Sequence, residues 1–238
     1  MEIYRFDSIP STNTALAQLS KKGAKSWTVI WTSNQTQGRG YAGNEWKTEK
    51  GMNLAFSVLI NSQLNHPELI YFNQWVCNII HRYLSRFSNE VFIKWPNDII
   101  VRNKKVCGIL IETHKSDNQL NIISGVGLNV NQKDYSRLPK AGSLLTQTGK
   151  EYDLEEILSG LLTEMENSYH QIENEEWEEI SLNYNRYLFR KDEIRSFKTN
   201  DEIFNGIIKQ VNHSGFLVLE LENGRVKTYQ HKEIELLY

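Results

Sequence analysis

The sequence predicts an α/β domain followed by a small β-barrel, and three patterns predict it. Apolar residues recur at spacings of three and four over 69–87 and again over 154–169, as they do on long amphipathic helices. Between these helices lie short runs with the alternation or the apolar continuity of strands. From residue 191 on, the chain breaks into short strand-like segments separated by turn signals, as a small barrel does. The expected domains are therefore 1–190 and 191–238.

Each element has its own signal. Ser11-Thr12-Asn13-Thr14 opens a helix, because these side chains cap backbone N–H groups, and Ala15, Leu16 and Leu19 give it an apolar face. Residues 27–31 read as a strand. The stretch 32–51 is polar and holds Gly38, Gly40, Gly43 and Gly51, so it reads as a loop. Met52, Leu54, Phe56, Val58 and Ile60 alternate, which predicts a strand with one face buried. Strands follow at 91–95, 98–101 and 106–112, the last two joined around Arg102-Asn103-Lys104-Lys105, and another at 120–130. After the second long helix, 177–188 forms a shorter one. Strands at 203–211, 216–221, 226–229 and 233–237 complete the chain, with Asn223-Gly224 as a hairpin turn.

Composition narrows the function classes. With 39% hydrophobic and 24% charged residues the chain is expected to fold and stay soluble, and a net charge of −2 argues against a polyanion as main partner. Cys77 and Cys107 lie in apolar runs and make no disulfide framework, which implies a reducing compartment. The N-terminus lacks the apolar core of a signal peptide, and no run approaches a membrane span. The expected location is cytoplasmic, with no membrane partner.

Four segments carry chemistry. In the loop from Gln35 to Trp46, glycines let backbone N–H groups approach a ligand, Arg39 supplies a fixed cation, and Trp46 offers a face for a planar ring. A mobile surface loop is the plainer alternative. Lys94-Trp95-Pro96-Asn97-Asp98 places an amine at the end of an apolar strand and a carboxylate at the start of the next, suited to Mg²⁺ or a ribose hydroxyl; a snorkelling lysine and a turn-capping aspartate are the alternatives. Residues 105–112 and 125–131 each put glycine inside a strand, which weakens it unless something approaches closely.

Taken in order, Ser11-Thr12-Asn13, Gln35 with Gly38-Arg39-Gly40 through Trp46, Lys94-Trp95-Pro96-Asn97-Asp98, residues 105–112 and Gly127-Leu128-Asn129-Val130-Asn131 resemble the biotin–protein ligase family. Residues 206–236 resemble the SH3-like barrel that closes these ligases. The resemblance implies a mixed sheet flanked by helices, like that of class II aminoacyl-tRNA synthetases. It also implies biotin as substrate, ATP and Mg²⁺, and a biotin carboxyl carrier protein as acceptor. By the same resemblance Ser11, Thr12, Asn13 and Gln35 would bind the ureido ring, whose donors and acceptors suit hydroxyls and amides. Arg39, Gly40 and Tyr41 would fold over biotin and its adenylate, and Lys94 would face the biotin carboxylate and reacting phosphate, making Lys94 and Arg39 the catalytic pair. Trp46, Asp98, Lys105, Asn129 and Asn131 would line the nucleotide side.

The chain departs from the pattern at Tyr41, Ala42 and Asn44, where other members carry arginine, so Arg39, Lys94 and Lys47 or Lys105 would bear more of the positive charge. Some members repress transcription through an N-terminal helix-turn-helix; here the ligase-like strand begins almost at once, and no DNA binding is expected. Exposed strand edges permit pairing with a second copy, as a homodimer, or with the acceptor. A lipoate or octanoate transferase on a related fold and a non-catalytic biotin-binding protein are the competing readings.

Overall fold

The computed structural model describes residues 1–116, 119–200 and 202–238. The chain runs β1 (Glu2–Phe6), α1 (Thr12–Ser20), β2 (Thr28–Thr32), β3 (Gly38–Arg39), β4 (Glu45–Trp46), β5 (Asn53–Ser62), α2 (Leu69–Leu84), β6 (Val91–Lys94), β7 (Asp98–Val101), β8 (Lys104–Ser116) and β9 (Gln119–Asn129). There follow α3 (Leu144–Thr148), α4 (Leu154–Ser168), α5 (His170–Glu173), α6 (Trp177–Arg186), β10 (Ile194–Lys198), β11 (Ile203–Val211), β12 (Leu217–Leu221), β13 (Val226–Tyr229) and β14 (Glu235–Leu236).

Seven strands form one mixed sheet in the order β1-β2-β5-β9-β8-β7-β6, parallel between β1 and β2 and antiparallel elsewhere. Helices cover both faces. On one side Leu16 of α1 packs with Ile30, Leu59 and Ile123. On the other, Leu54, Phe56, Val58 and Ile60 meet Phe72, Val76 and Ile80 of α2 and Leu161 of α4. The strand expected to bury one face thus buries both, because α1 and the loop after it occupy the second face and Ser57, at its centre, is fully enclosed. The alternation at 52–60 is real, but the residues between its apolar positions are buried too: Leu59 packs under α1, Ser57 is enclosed, and Asn53 accepts from the Val130 N–H.

α1 starts where its cap predicts: Ser11 accepts a hydrogen bond from the Thr14 N–H. α4 starts at Asp153, whose carboxylate accepts from the Glu155 and Glu156 N–H groups. β8 runs past the expected 106–112 because β9 pairs with it continuously from Cys107↔Leu128 to Lys115↔Leu120.

The C-terminal segment is a five-stranded antiparallel sheet, β13-β12-β11-β10-β14. The β12–β13 turn holds Gly224 at φ 75°, a conformation that favours glycine. Phe197, Ile208, Leu219 and Tyr229 join the same apolar core as the large sheet. Two polar ties reinforce the junction: Trp95 Nε1 donates to the Gly215 carbonyl at 2.9 Å, and the Asn185 side chain bonds both the N–H and the carbonyl of Val211. β10 was not foreseen, since only Phe197 of its residues is fully buried and its pattern is weak. The strand expected at 233–237 shortens to Glu235–Leu236. Among the described residues no helix is long and apolar enough to cross a membrane.

Candidate active site

A cavity of about 220 Å³ opens on the α1 face of the large sheet, between the start of α1, the β3–β4 hairpin, the β6–β7 turn and the glycines of β8 and β9. It gathers Ser11, Thr12, Asn13, Gln35, Arg39, Gly40, Tyr41, Trp46, Lys94, Asp98 and Lys105. Every candidate residue is there except Asn129 and Asn131.

At one end lies a buried polar cluster. Gln35 Oε1 accepts from the Thr12 N–H at 2.9 Å and its hydroxyl at 3.2 Å. Ser57 Oγ donates to Asn13 Oδ1 at 2.5 Å and lies 2.7 Å from Thr12 Oγ1. Asn13 Nδ2 donates to Glu112 at 2.8 Å, and Arg39 reaches the same carboxylate at 2.9 Å and Thr14 Oγ1 at 3.2 Å. Hydroxyls that both donate and accept, held by carboxamides, suit a neutral polar head group. Ser57 and Glu112 were given no role from sequence; a serine inside an apolar strand and a carboxylate at the end of another were the available signals.

The strand glycines exist because side chains press on them. A Cβ on Gly125 would stand 2.1 Å from Asn13 Oδ1, and one on Gly127 would stand 2.4 Å from Trp46 Cε2. Trp46 lies across Gly108 and Gly127 as a lid, and its indole N–H is buried without a partner among the described residues. An enclosed donor of this kind is costly unless something accepts from it.

At the other end are the charges. Asp98 receives Lys105 at 2.7 Å and lies 4.0 Å from Lys94, with Lys105 also 5.4 Å from the Trp46 ring centroid. Burial pushes the Lys94 ammonium below its ordinary range; Asp98 opposes this, and Lys105 and Lys140 add to it. Two lysines against one carboxylate leave an excess of positive charge that an incoming anion would relieve.

Asn129 and Asn131 lie outside the cavity lining. Asn129 Nδ2 holds the Gly142 carbonyl at 2.9 Å, and Asn131 bonds the backbone carbonyl and N–H of Tyr152. Both secure the chain after β9, which explains polar side chains there without a ligand. Tyr41 turns its ring to His231 instead, centroids 4.6 Å apart, while Asn44 donates back to the Tyr41 carbonyl. His231 was missed entirely; one histidine in a polar turn gives no signal. Cys107 is fully buried, and desolvation pushes its thiol far up, so it is no nucleophile.

Fold and site together define an α/β enzyme whose cavity sets a buried polar cluster opposite a pair of lysines. The chain belongs to the biotin/lipoate A/B protein ligase family, whose model matches residues 5–129. It is 26% identical over 238 residues to the bifunctional ligase/repressor BirA of Bacillus spizizenii, covering 97% of this chain and 72% of that protein. It is 31% identical over 165 residues to the biotin–[acetyl-CoA-carboxylase] ligase of Mycobacterium tuberculosis, covering 66% of this chain and 59% of that one. Its fold matches the Aquifex aeolicus biotin protein ligase in complex with biotin and ATP, with a TM-score of 0.81, 24% identity, and 99% and 98% of the two chains covered.

Proposed function

We infer that this chain is a biotin–protein ligase, which activates biotin with ATP to biotinyl-5′-AMP and transfers the biotinyl group to a lysine of a biotin carboxyl carrier protein. The observation that carries this reading is the Thr12–Asn13–Gln35–Ser57 cluster facing Lys94 and Lys105 across one cavity. A ureido ring fits the first end, and a carboxylate meeting an α-phosphate fits the second. A lipoyl or octanoyl chain has no donors or acceptors to exchange hydrogen bonds with this cluster. The Mycobacterium tuberculosis and Aquifex aeolicus relatives named above are biotin ligases.

In the first step the biotin carboxylate attacks the α-phosphorus and pyrophosphate departs. Lys94 and Lys105 counter the charge gathering on phosphoryl oxygens, and Arg39, freed from Glu112, can add to them. Mg²⁺ travels with ATP and is commonly held by phosphates and one or two carboxylates. Asp98, and Glu45 at the rim, are the carboxylates facing the cavity, so the protein would complete the shell of an ion already on the triphosphate. Trp46 and the β3–β4 hairpin would exclude water from the mixed anhydride. Incubation with biotin, ATP and a biotin carboxyl carrier domain should add one biotinyl group to the domain by mass spectrometry; no gain in mass would refute transfer.

Trp46 anchors the base of the hairpin on β8 and β9, while its tip is held by a two-residue ladder, the exposed Arg39–Glu112 pair and the Tyr41–His231 contact. Such thin support opens readily. Protease cleavage between 39 and 45 is therefore expected to slow at least tenfold once biotinyl-AMP is bound, and equal cleavage with and without it would count against gating.

The finer reading is a cytoplasmic enzyme that binds neither DNA nor membrane and that could pair with a second copy through a sheet edge. Net charge is −2, which gives a polyanion little to attract. A biotin-operon operator fragment should migrate unretarded at moderate salt with nanomolar protein, and a retarded band would overturn this.

A further inference from the structure

Beside the active-site cavity lies a second one of about 460 Å³, more apolar in its lining, with Leu69, Ile70, Trp95, Ile111 and Phe216 among its walls. The two share four residues: Tyr41, Pro96, Asn97 and His231. These form the partition between a chamber fit for the adenylate and an open groove through which an acceptor side chain can approach. A prolyl ring, a phenol and a carboxamide offer no basic nitrogen, and the Asn97 amide already donates to the Ile109 carbonyl at 2.6 Å. His231 alone of the four can take a proton. It lies in the turn between β13 and β14 and is the one described residue after 190 that lines the active-site cavity.

We propose that His231 is the general base of the transfer step, removing a proton from the acceptor lysine nitrogen as that nitrogen attacks the acyl carbon. The proposal builds on the ligase reading above. The neutral amine forms a C–N bond to the acyl carbon, and the nitrogen becomes cationic. The imidazole takes one of its protons. The bond from acyl carbon to phosphate oxygen breaks, its electron pair leaves with AMP, and an amide remains. The imidazolium then releases its proton to solvent.

The surroundings of His231 suit this task. Its ring is half-buried and held edge-on to Tyr41 at 4.6 Å and Trp95 at 5.7 Å between centroids, which fixes its plane. No hydrogen bond ties up its ring nitrogens among the described residues. Burial, then Lys94, then Lys232 lower its pKa from the ordinary histidine value, and Asp98 opposes them; the Tyr41 and Trp95 rings complete its neighbours. The lowered pKa favours the neutral ring, the form able to accept a proton. Lys94 on the same cavity serves the opposite purpose, remaining cationic toward phosphate.

The test separates the two chemical steps. Enzyme loaded with biotin, ATP and pyrophosphatase is mixed with a carrier domain, and single-turnover transfer is followed from mildly acidic pH, below the ordinary histidine range, up to alkaline pH for the native protein and His231→Gln. Biotin-dependent pyrophosphate exchange is measured in parallel. A positioned base commonly contributes 10²-fold or more, so transfer should fall at least about 30-fold further than exchange. The native-to-variant ratio should shrink as pH falls through the imidazole titration, because a protonated ring accepts nothing. Added imidazole should restore part of the transfer in His231→Ala. Equal losses in both steps, a ratio independent of pH, or absence of rescue would overturn the assignment. Absence of biotin-dependent exchange in the native protein would instead remove the ligase reading on which it stands.

Discussion

Replacing Lys94 by methionine is expected to slow biotinyl-adenylate formation by on the order of 100-fold or more, the usual loss when one preorganised electrostatic group is removed. Lys94 closes β6, and its side chain is three-quarters enclosed, pointing toward Asp98 rather than solvent. A rigid strand end fixes an ammonium more closely than a loop does. Burial already disfavours its charge, so its interaction with an anionic phosphate is strong and grows as charge builds in the transition state. The fold should survive, because Asp98 keeps Lys105 at 2.7 Å and no carboxylate is left unpaired. A lysine that merely snorkels would lose less than about threefold, within the range of exposed substitutions. Pre-steady-state formation of biotinyl-AMP, with the melting temperature as control, separates the two outcomes.

The second large effect is expected from Gly125→Ala. The new methyl would stand 2.1 Å from Asn13 Oδ1. Asn13 has little freedom to yield, since its amide nitrogen is bonded to Glu112 and the Leu110 carbonyl and its oxygen to Ser57. Displacing it unravels contacts to Ser57 and, through Ser57, to Thr12. Losing one or two buried hydrogen bonds to a ligand costs about 1–3 kcal/mol, so KM for biotin should rise roughly 10- to 100-fold while KM for ATP changes little. Comparable rises for both substrates would mean general damage; an unchanged KM for biotin would mean the cluster does not hold the ureido ring.

Much of this was legible before the fold was known. Helices announce themselves by spacing and caps, so α1, α2, α4 and α6 start at or within a residue of where their patterns begin. The glycines at 108, 125 and 127 were legible as places of close approach, but which side chains approach them depends on α1 and the β3–β4 hairpin folding over the sheet. Ser57 was hidden because a strand alternation seemed to have a solvent face; only α1 reveals that this face is buried. β10 lacked a clear period, since one edge of its pairing is the two-residue β14. His231 lies far along the chain from Asn131, the last residue of the chemistry-bearing segments, and reaches the cavity because the small sheet shares the core of the large one. Asn131 is a polar residue at the end of those segments, and its side chain bonds the backbone of Tyr152, a pairing that spacing alone does not reveal.

The central claim is that this cavity activates biotin, and exchange of labelled pyrophosphate into ATP tests it most directly. The account predicts exchange that requires biotin, is not supported by lipoate or octanoate, and falls about 100-fold in Lys94→Met. Exchange that is absent with biotin, or equally fast with lipoate or octanoate, would contradict it.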